Sequence, residues 1–125
     1  MNSKVELSNK HGRIAIVDAV RTPFARIATH YKDLNAIDLG VMVVNELIKR
    51  NNLNKDDIDQ LVFGMTVMIP EAPFIAREIA LQAGLENVDA YSLTRACATS
   101  FQTITSAAET ILAGNADIII AGGTD

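Results

Sequence analysis

Cysteine is almost missing from this chain: its 125 residues hold one, Cys97. A single thiol cannot close an internal disulfide, so no cross-linked framework is expected, and a reducing cytoplasmic setting suits the chain. A basic excess is missing as well. Eleven Lys and Arg stand against fifteen Asp and Glu, a formal net charge of −4, which argues against a nucleic-acid surface. No apolar run approaches the length of a transmembrane helix. Met1 to Leu7 has no basic segment leading into an apolar core, so no secretory signal is expected. Low-complexity tracts and internal repeats are also lacking. What is present, 49% hydrophobic and 21% charged residues, describes one globular domain of ordinary size.

Along the chain, Arg13 to Val20 reads as a strand, stopped by Arg21-Thr-Pro-Phe24. Asn35 is a helix cap with Asp38 three residues on. Ile37, Val41, Val44 and Ile48 recur at helical spacing, and Lys49-Arg50 suit the C-terminal end. A second strand is expected over Ile58 to Val67, broken by Pro70 and Pro73. A helix over Phe74 to Ala83 ends at Gly84, and a third strand follows over Asp89 to Thr94. A helix over Ala98 to Ala113 comes next, and a last strand over Asp117 to Ala121. Strands alternating with helices predict the α/β class: a mostly parallel sheet with helices on both faces. Catalytic groups on such sheets gather at the carboxyl ends of the strands.

Cys97 stands at one of those ends, between the third strand and its following helix. A thiol at a helix N-terminus meets unpaired N–H groups and the positive end of the dipole, which favour the nucleophilic thiolate. A buried core cysteine is the competing reading, and the common one for a lone Cys. The helix after Cys97 has a single charged residue, Glu109, among sixteen. Small uncharged residues nearly all round predict a helix packed between two layers. The chain has too little material to supply the second layer, so it reads as the N-terminal part of a larger protein.

Four segments together resemble the thiolase family. Ile16-Val-Asp-Ala-Val-Arg-Thr-Pro-Phe24 is similar to its opening strand and turn. Ala76-Arg77-Glu78 with Ala83-Gly84 is similar to its second helix. Thr94-Arg-Ala-Cys-Ala-Thr-Ser100 resembles the nucleophile segment, and Ala121-Gly-Gly-Thr-Asp125 the strand end after it. Within the family, Leu61-Val-Phe-Gly64, Ile69-Pro-Glu-Ala-Pro73 and the Cys97 segment most resemble the thiolase subunit of bacterial fatty-acid oxidation complexes. Thr94, Thr99 and Ser100 stand where many thiolases have Asn, Ser and Gly, and Phe74 where Asn is expected.

The resemblance implies the N-terminal half of a five-layer αβαβα fold, with residues 1–12 a tail and 13–125 a partial thiolase N-terminal domain. It implies an acyl-CoA:acetyl-CoA C-acyltransferase (3-ketoacyl-CoA thiolase) of fatty-acid β-oxidation. Cys97 would be the nucleophile and acyl carrier, with its backbone N–H donating to an oxyanion. No permanently bound cofactor and no metal are implied; coenzyme A and acyl-CoA are substrates. Implied partners are a second copy, paired through the strand Asp89 to Thr94, and a hydratase/dehydrogenase subunit of an oxidation complex. The activating histidine, the second cysteine and the CoA-binding loops belong to the family's later residues, so the chain alone is expected to be inactive. Another condensing enzyme of the β-ketoacyl synthase type, or a non-catalytic truncated product, are the alternatives.

Other residues read as structure. His11 and His30 match neither family role. Arg21 and Arg77 read as anchors of turns or helix ends, Gly122-Gly123 as close packing at a strand end, and Met65 and Met68 as core or cleft lining.

Overall fold

In the computed structural model, which describes residues 13–125, the first regular element is the helix α1 (Ala36–Arg50). A reciprocal pair sets its start. Asn35 Oδ1 accepts the Asp38 N–H and Asp38 Oδ2 accepts the Asn35 N–H, each at 2.9 Å, so two donors that the helix cannot satisfy itself find partners. Lys49 and Arg50 occupy the last turn, at the negative end of the dipole. Ile37, Gly40, Val44 and Ile48 form the buried stripe that the helical period demands.

A 3-10 turn (Lys55–Asp57) then leads into β1 (Gln60–Gly64), α2 (Ile75–Gln82), β2 (Asp89–Leu93), α3 (Thr99–Leu112) and β3 (Ile119–Gly123). The three strands form one parallel sheet in the order β2-β1-β3. Gln60 of central β1 stands opposite Asp89 on one side and Ile119 on the other. Leu61 to Gly64 are buried, as an apolar strand covered on both faces should be. The chain leaves β1 for β2 through α2, then comes back past β1 to β3 through α3. Right-handed crossovers running in opposite directions place α2 and α3 on opposite faces. Packing follows that geometry. Leu61 and Phe63 share one core with Val44 of α1 and Ile75 and Ile79 of α2, while α3 lies against β1 and β3 through Thr99, Thr103 and Ala107.

The α/β architecture and both later helices agree with the sequence to within a residue at each end. The first expected strand does not. Arg13 to Val20 joins no sheet, with Ile16 and Val17 79% and 83% exposed. Apolar residues do not make a strand without a neighbour to complete the ladder, and none lies beside this segment among the described residues. It is instead pinned through Asp18, whose Oδ2 accepts the Asn51 Nδ2–H at 2.9 Å. That bond, the Ala19 N–H and the Arg50 charge hold the Asp18 carboxyl below its ordinary value.

The other strand limits shift because side chains take the backbone donors. Asp59 Oδ2 accepts the N–H groups of Asp117 and Ile118 at 2.7 and 3.0 Å, so β3 starts at Ile119 and runs through Gly123. Asp125 Oδ1 takes the N–H of Thr66 at 2.8 Å, ending β1 short of Val67. The second layer expected over α3 is not among the described residues: Phe101 and Ile104 are 79% and 48% exposed. The expected tail and His11 lie outside the described residues.

Candidate active site

Beyond Leu93 the chain must turn from a strand into α3 within five residues. Thr94 fixes the exit, its Oγ1 donating to the Met65 carbonyl at 2.8 Å and so tying this turn to the end of β1. Ala96 then takes a left-handed backbone, φ 48°, a conformation that costs an L-residue with a Cβ about 1–2 kcal/mol. Thr99 wraps the turn. Its Oγ1 accepts the Arg95 N–H at 2.8 Å and donates to the Ala96 carbonyl at 2.7 Å, and the Thr99 N–H returns to Ala96 O at 3.1 Å. Cys97, at the apex, is exposed. The buried-cysteine reading is thereby set aside.

Two glycines let this turn sit directly on the strand ends. A Cβ on Gly64 would collide with the Leu93 carbonyl oxygen and Thr99 Cγ2. On Gly123 it would lie 2.5 Å from Ser100 Oγ and 3.3 Å from Gly64 O. Gly122-Gly123 is therefore close packing, as the sequence reading has it, and not a phosphate loop. α3 itself begins without a side-chain cap and without an acid in its first turn. The turn's own bonds use the N–H groups of Ala98 and Thr99. Those of Cys97, Ser100 and Phe101 have no acceptor among the described residues, and donors of this kind favour a negatively charged group nearby.

Cys97 opens on a cleft of about 510 Å³ whose lining includes Arg21, Thr66, Ser100, Ile104, Gly123 and Asp125. Its floor is apolar, from Leu39, Val43 and Leu47 of α1. Asp125 is the one carboxylate of the lining, and it is already committed: Oδ1 to the Thr66 N–H and Oδ2, at 2.9 Å, to Thr66 Oγ1–H. Arg21 stays in its own turn, donating to Thr22 O at 3.1 Å and lying 4.5 Å from the Phe24 ring centroid. Among the described residues, no histidine reaches the cleft and no cluster of His, Cys, Asp and Glu could hold a metal. The arrangement can present a thiol and backbone donors to a carbonyl; it holds no base placed to deprotonate that thiol.

Elsewhere the structural readings hold except at Met68, which is neither core nor cleft lining. Arg77 donates to the carbonyls of Glu86 and Val88 and anchors the loop before β2. Met65 is core, 4% exposed, whereas Met68 is 60% exposed and outside the cleft. His30 is an exposed loop residue. The sequence reading placed no role on Thr99, Gly64 or Asp125. Gly64 had a signal, since a glycine inside an apolar strand marks a close backbone approach. The Thr99 bonds had none, because they depend on the Ala96 conformation.

Comparison with known proteins agrees with this geometry. A family model described as thiolase, N-terminal domain, matches residues 14–125. The chain is 54% identical to a 3-ketoacyl-CoA thiolase of Shewanella halifaxensis (strain HAW-EB4), covering 100% of the chain and 29% of that relative. It is 57% identical to a 3-ketoacyl-CoA thiolase of Pseudoalteromonas translucida (strain TAC 125), covering 93% of the chain and 27% of the relative. Among solved structures it is similar to the Acat5 thiolase from Ascaris suum in complex with coenzyme A. The TM-score there is 0.78 at 30% identity, over 83% of the chain and 28% of that structure. The acetyl-CoA acetyltransferase of Bacillus anthracis gives a TM-score of 0.71 at 30% identity, over 75% and 24%. The chain thus spans less than a third of the length of these relatives.

Proposed function

The chain belongs to the thiolase family, and on that premise we propose that Cys97 is the acyl-accepting nucleophile of a 3-ketoacyl-CoA thiolase acting in fatty-acid β-oxidation. One observation carries the assignment: the chain's single thiol is exposed on a left-handed turn at the carboxyl end of the sheet, facing a cleft. In the proposed reaction the Cys97 thiolate adds to the C3 ketone of a 3-oxoacyl-CoA. The C2–C3 bond breaks, C2 takes a proton, and acetyl-CoA leaves. The acyl thioester on Cys97 then passes to the thiol of free coenzyme A, which restores the cysteine. The open Cys97 N–H is the donor this chain offers to the oxyanion. The base for the first step and the proton donor for C2 come from residues beyond those described.

Coenzyme A and acyl-CoA are the proposed substrates, in keeping with the coenzyme A held by the Ascaris suum relative. Among the described residues, no helix is long and apolar enough to cross a membrane; a cytoplasmic location is part of the proposal. Residues 13–125 are proposed as a partial thiolase N-terminal domain. A twofold homodimer through β2, and a hydratase/dehydrogenase partner subunit, complete the reading. β2 supports the dimer as an edge strand without lysine or proline, which uncovered would invite pairing. Sedimentation of the complete enzyme as a monomer at micromolar concentration would remove the dimer from the proposal.

The nucleophile is tested by incubating the complete enzyme with an acyl-CoA and mapping the acylated peptide. Acylation is expected on Cys97 alone. Cys97→Ser should lose thiolysis by roughly three orders of magnitude or more, since the two-step route goes with the thiol. Acylation that persists elsewhere in that variant would overturn the assignment.

A further inference from the structure

We propose that Thr99, which also lines the cleft, is a positioning residue for this site: its hydroxyl acts by holding the left-handed turn that presents Cys97. The inference rests on the reading of Cys97 as nucleophile. Three observations carry it. Thr99 is buried, 4% exposed, and its hydroxyl bonds both ways, accepting from Arg95 N–H and donating to Ala96 O. One partner is the carbonyl of Ala96, the residue with φ 48°, and the other is the N–H of the residue before it, so one hydroxyl ties both ends of the left-handed step. The methyl group is seated as well, on the space that Gly64 leaves by lacking a Cβ. Thr99 thus sits locked between the sheet and the turn, two residues from the thiol it serves.

A hydroxyl lost here leaves the Arg95 N–H without its acceptor and Ala96 O with only the Thr99 N–H, so the left-handed turn loses both of its side-chain ties. Cys97 then moves relative to the cleft. Misplacement of a nucleophile by about 1 Å lowers turnover on the order of 100-fold. The hydroxyl is bonded within the turn, so its loss should change KM less than kcat.

The test uses the complete enzyme, with kcat expressed per Cys97 that can be acylated, so that misfolded protein does not count. Thr99→Val keeps the branched shape and removes the hydroxyl. It should lower kcat by roughly 10- to 100-fold while KM for coenzyme A stays within about twofold of wild type. Thr99→Ser keeps the hydroxyl and should return kcat to within about threefold. Should Thr99→Val fail to fold, Thr99→Ala against Thr99→Ser makes the same comparison with smaller side chains. Equal kcat for the variants with and without the hydroxyl would overturn the role, as would a KM that rises while kcat holds. Cys97→Ala separates the two readings. Acylation persisting there overturns both, whereas acylation lost there with full turnover in Thr99→Ala overturns Thr99 alone.

Discussion

The N-terminus of α1 carries a reciprocal capping box with an acid in its first turn, and the N-terminus of α3 carries neither. Asn35 is extended, φ −110° and ψ 177°, and its side chain forms a reciprocal pair with Asp38. Ala98, in the matching place, has φ −95° and ψ 11°, no side-chain cap and no acid in the turn that follows. One helix closes its own donors. The other leaves them open beside a thiol and is held from below, by glycine ends of two strands and by the Thr99 hydroxyl. A capping carboxylate at α3 would occupy the donors and repel a thiolate. On the proposed reading of Cys97, the difference marks where this fold gives up a helix cap to leave open donors beside the thiol.

If α3 is held by its seat, damage to the seat should exceed damage to any cap. Gly64→Ala places a Cβ against the Leu93 carbonyl, which is backbone and cannot swing aside, and against Thr99 Cγ2. Overpacking at such a point should cost about 3 kcal/mol in denaturant unfolding. A loss below about 1 kcal/mol would mean that α3 is not seated on Gly64, and the comparison would fail at its root.

The caps themselves come next in size. Asn35→Ala should cost about 1 kcal/mol, because it removes the acceptor for the Asp38 N–H. The mirror change, Ala98→Asn, should gain less than about 0.5 kcal/mol. A capping side chain reaches back to the helix from an extended backbone, and Ala98 is not extended. Equal and opposite effects in thermal unfolding would show that α3 lacks a cap by sequence alone rather than by the geometry of its turn.

How much of this was legible in the sequence follows the same division. α1 could be read in full, since Asn35, Asp38 and the Ile37–Val44–Ile48 stripe are local signals and need no partner. The parallel sheet could be read from alternation, and the place of Cys97 at a strand end before a helix from the order of elements; its role stays a proposal. Arg13 to Val20 misled because a strand is defined by its neighbour, which a local pattern does not report. Thr99 and Gly64 escaped because their roles arise from contacts across the sheet and from a single positive φ at Ala96. The ends of β1 and β3 escaped for a related reason: Asp125 and Asp59 take ladder donors from 59 and 58 residues away.

Acid gives the smallest test of the contrast. Carboxylates hold backbone donors at the start of α1, through Asp38, and at the start of β3, through Asp59; none does so at α3. Bonds from the Ile118 and then the Asp117 N–H hold the Asp59 carboxyl below its ordinary value, against a small opposing effect of burial. A carboxyl whose value is lower folded than unfolded contributes stability at pH above the unfolded value, near 3.9. That contribution fades as pH falls through the folded value, where both states are protonated. Asp59→Asn should therefore cost stability at pH 7, by well under about 1 kcal/mol because water screens so exposed a group. The gap between variant and wild type should narrow steadily below about pH 4. A gap that is unchanged from pH 7 to pH 3 would show that the Asp59 oxygen acts by geometry alone, and that its charge does nothing to hold β3 against β1.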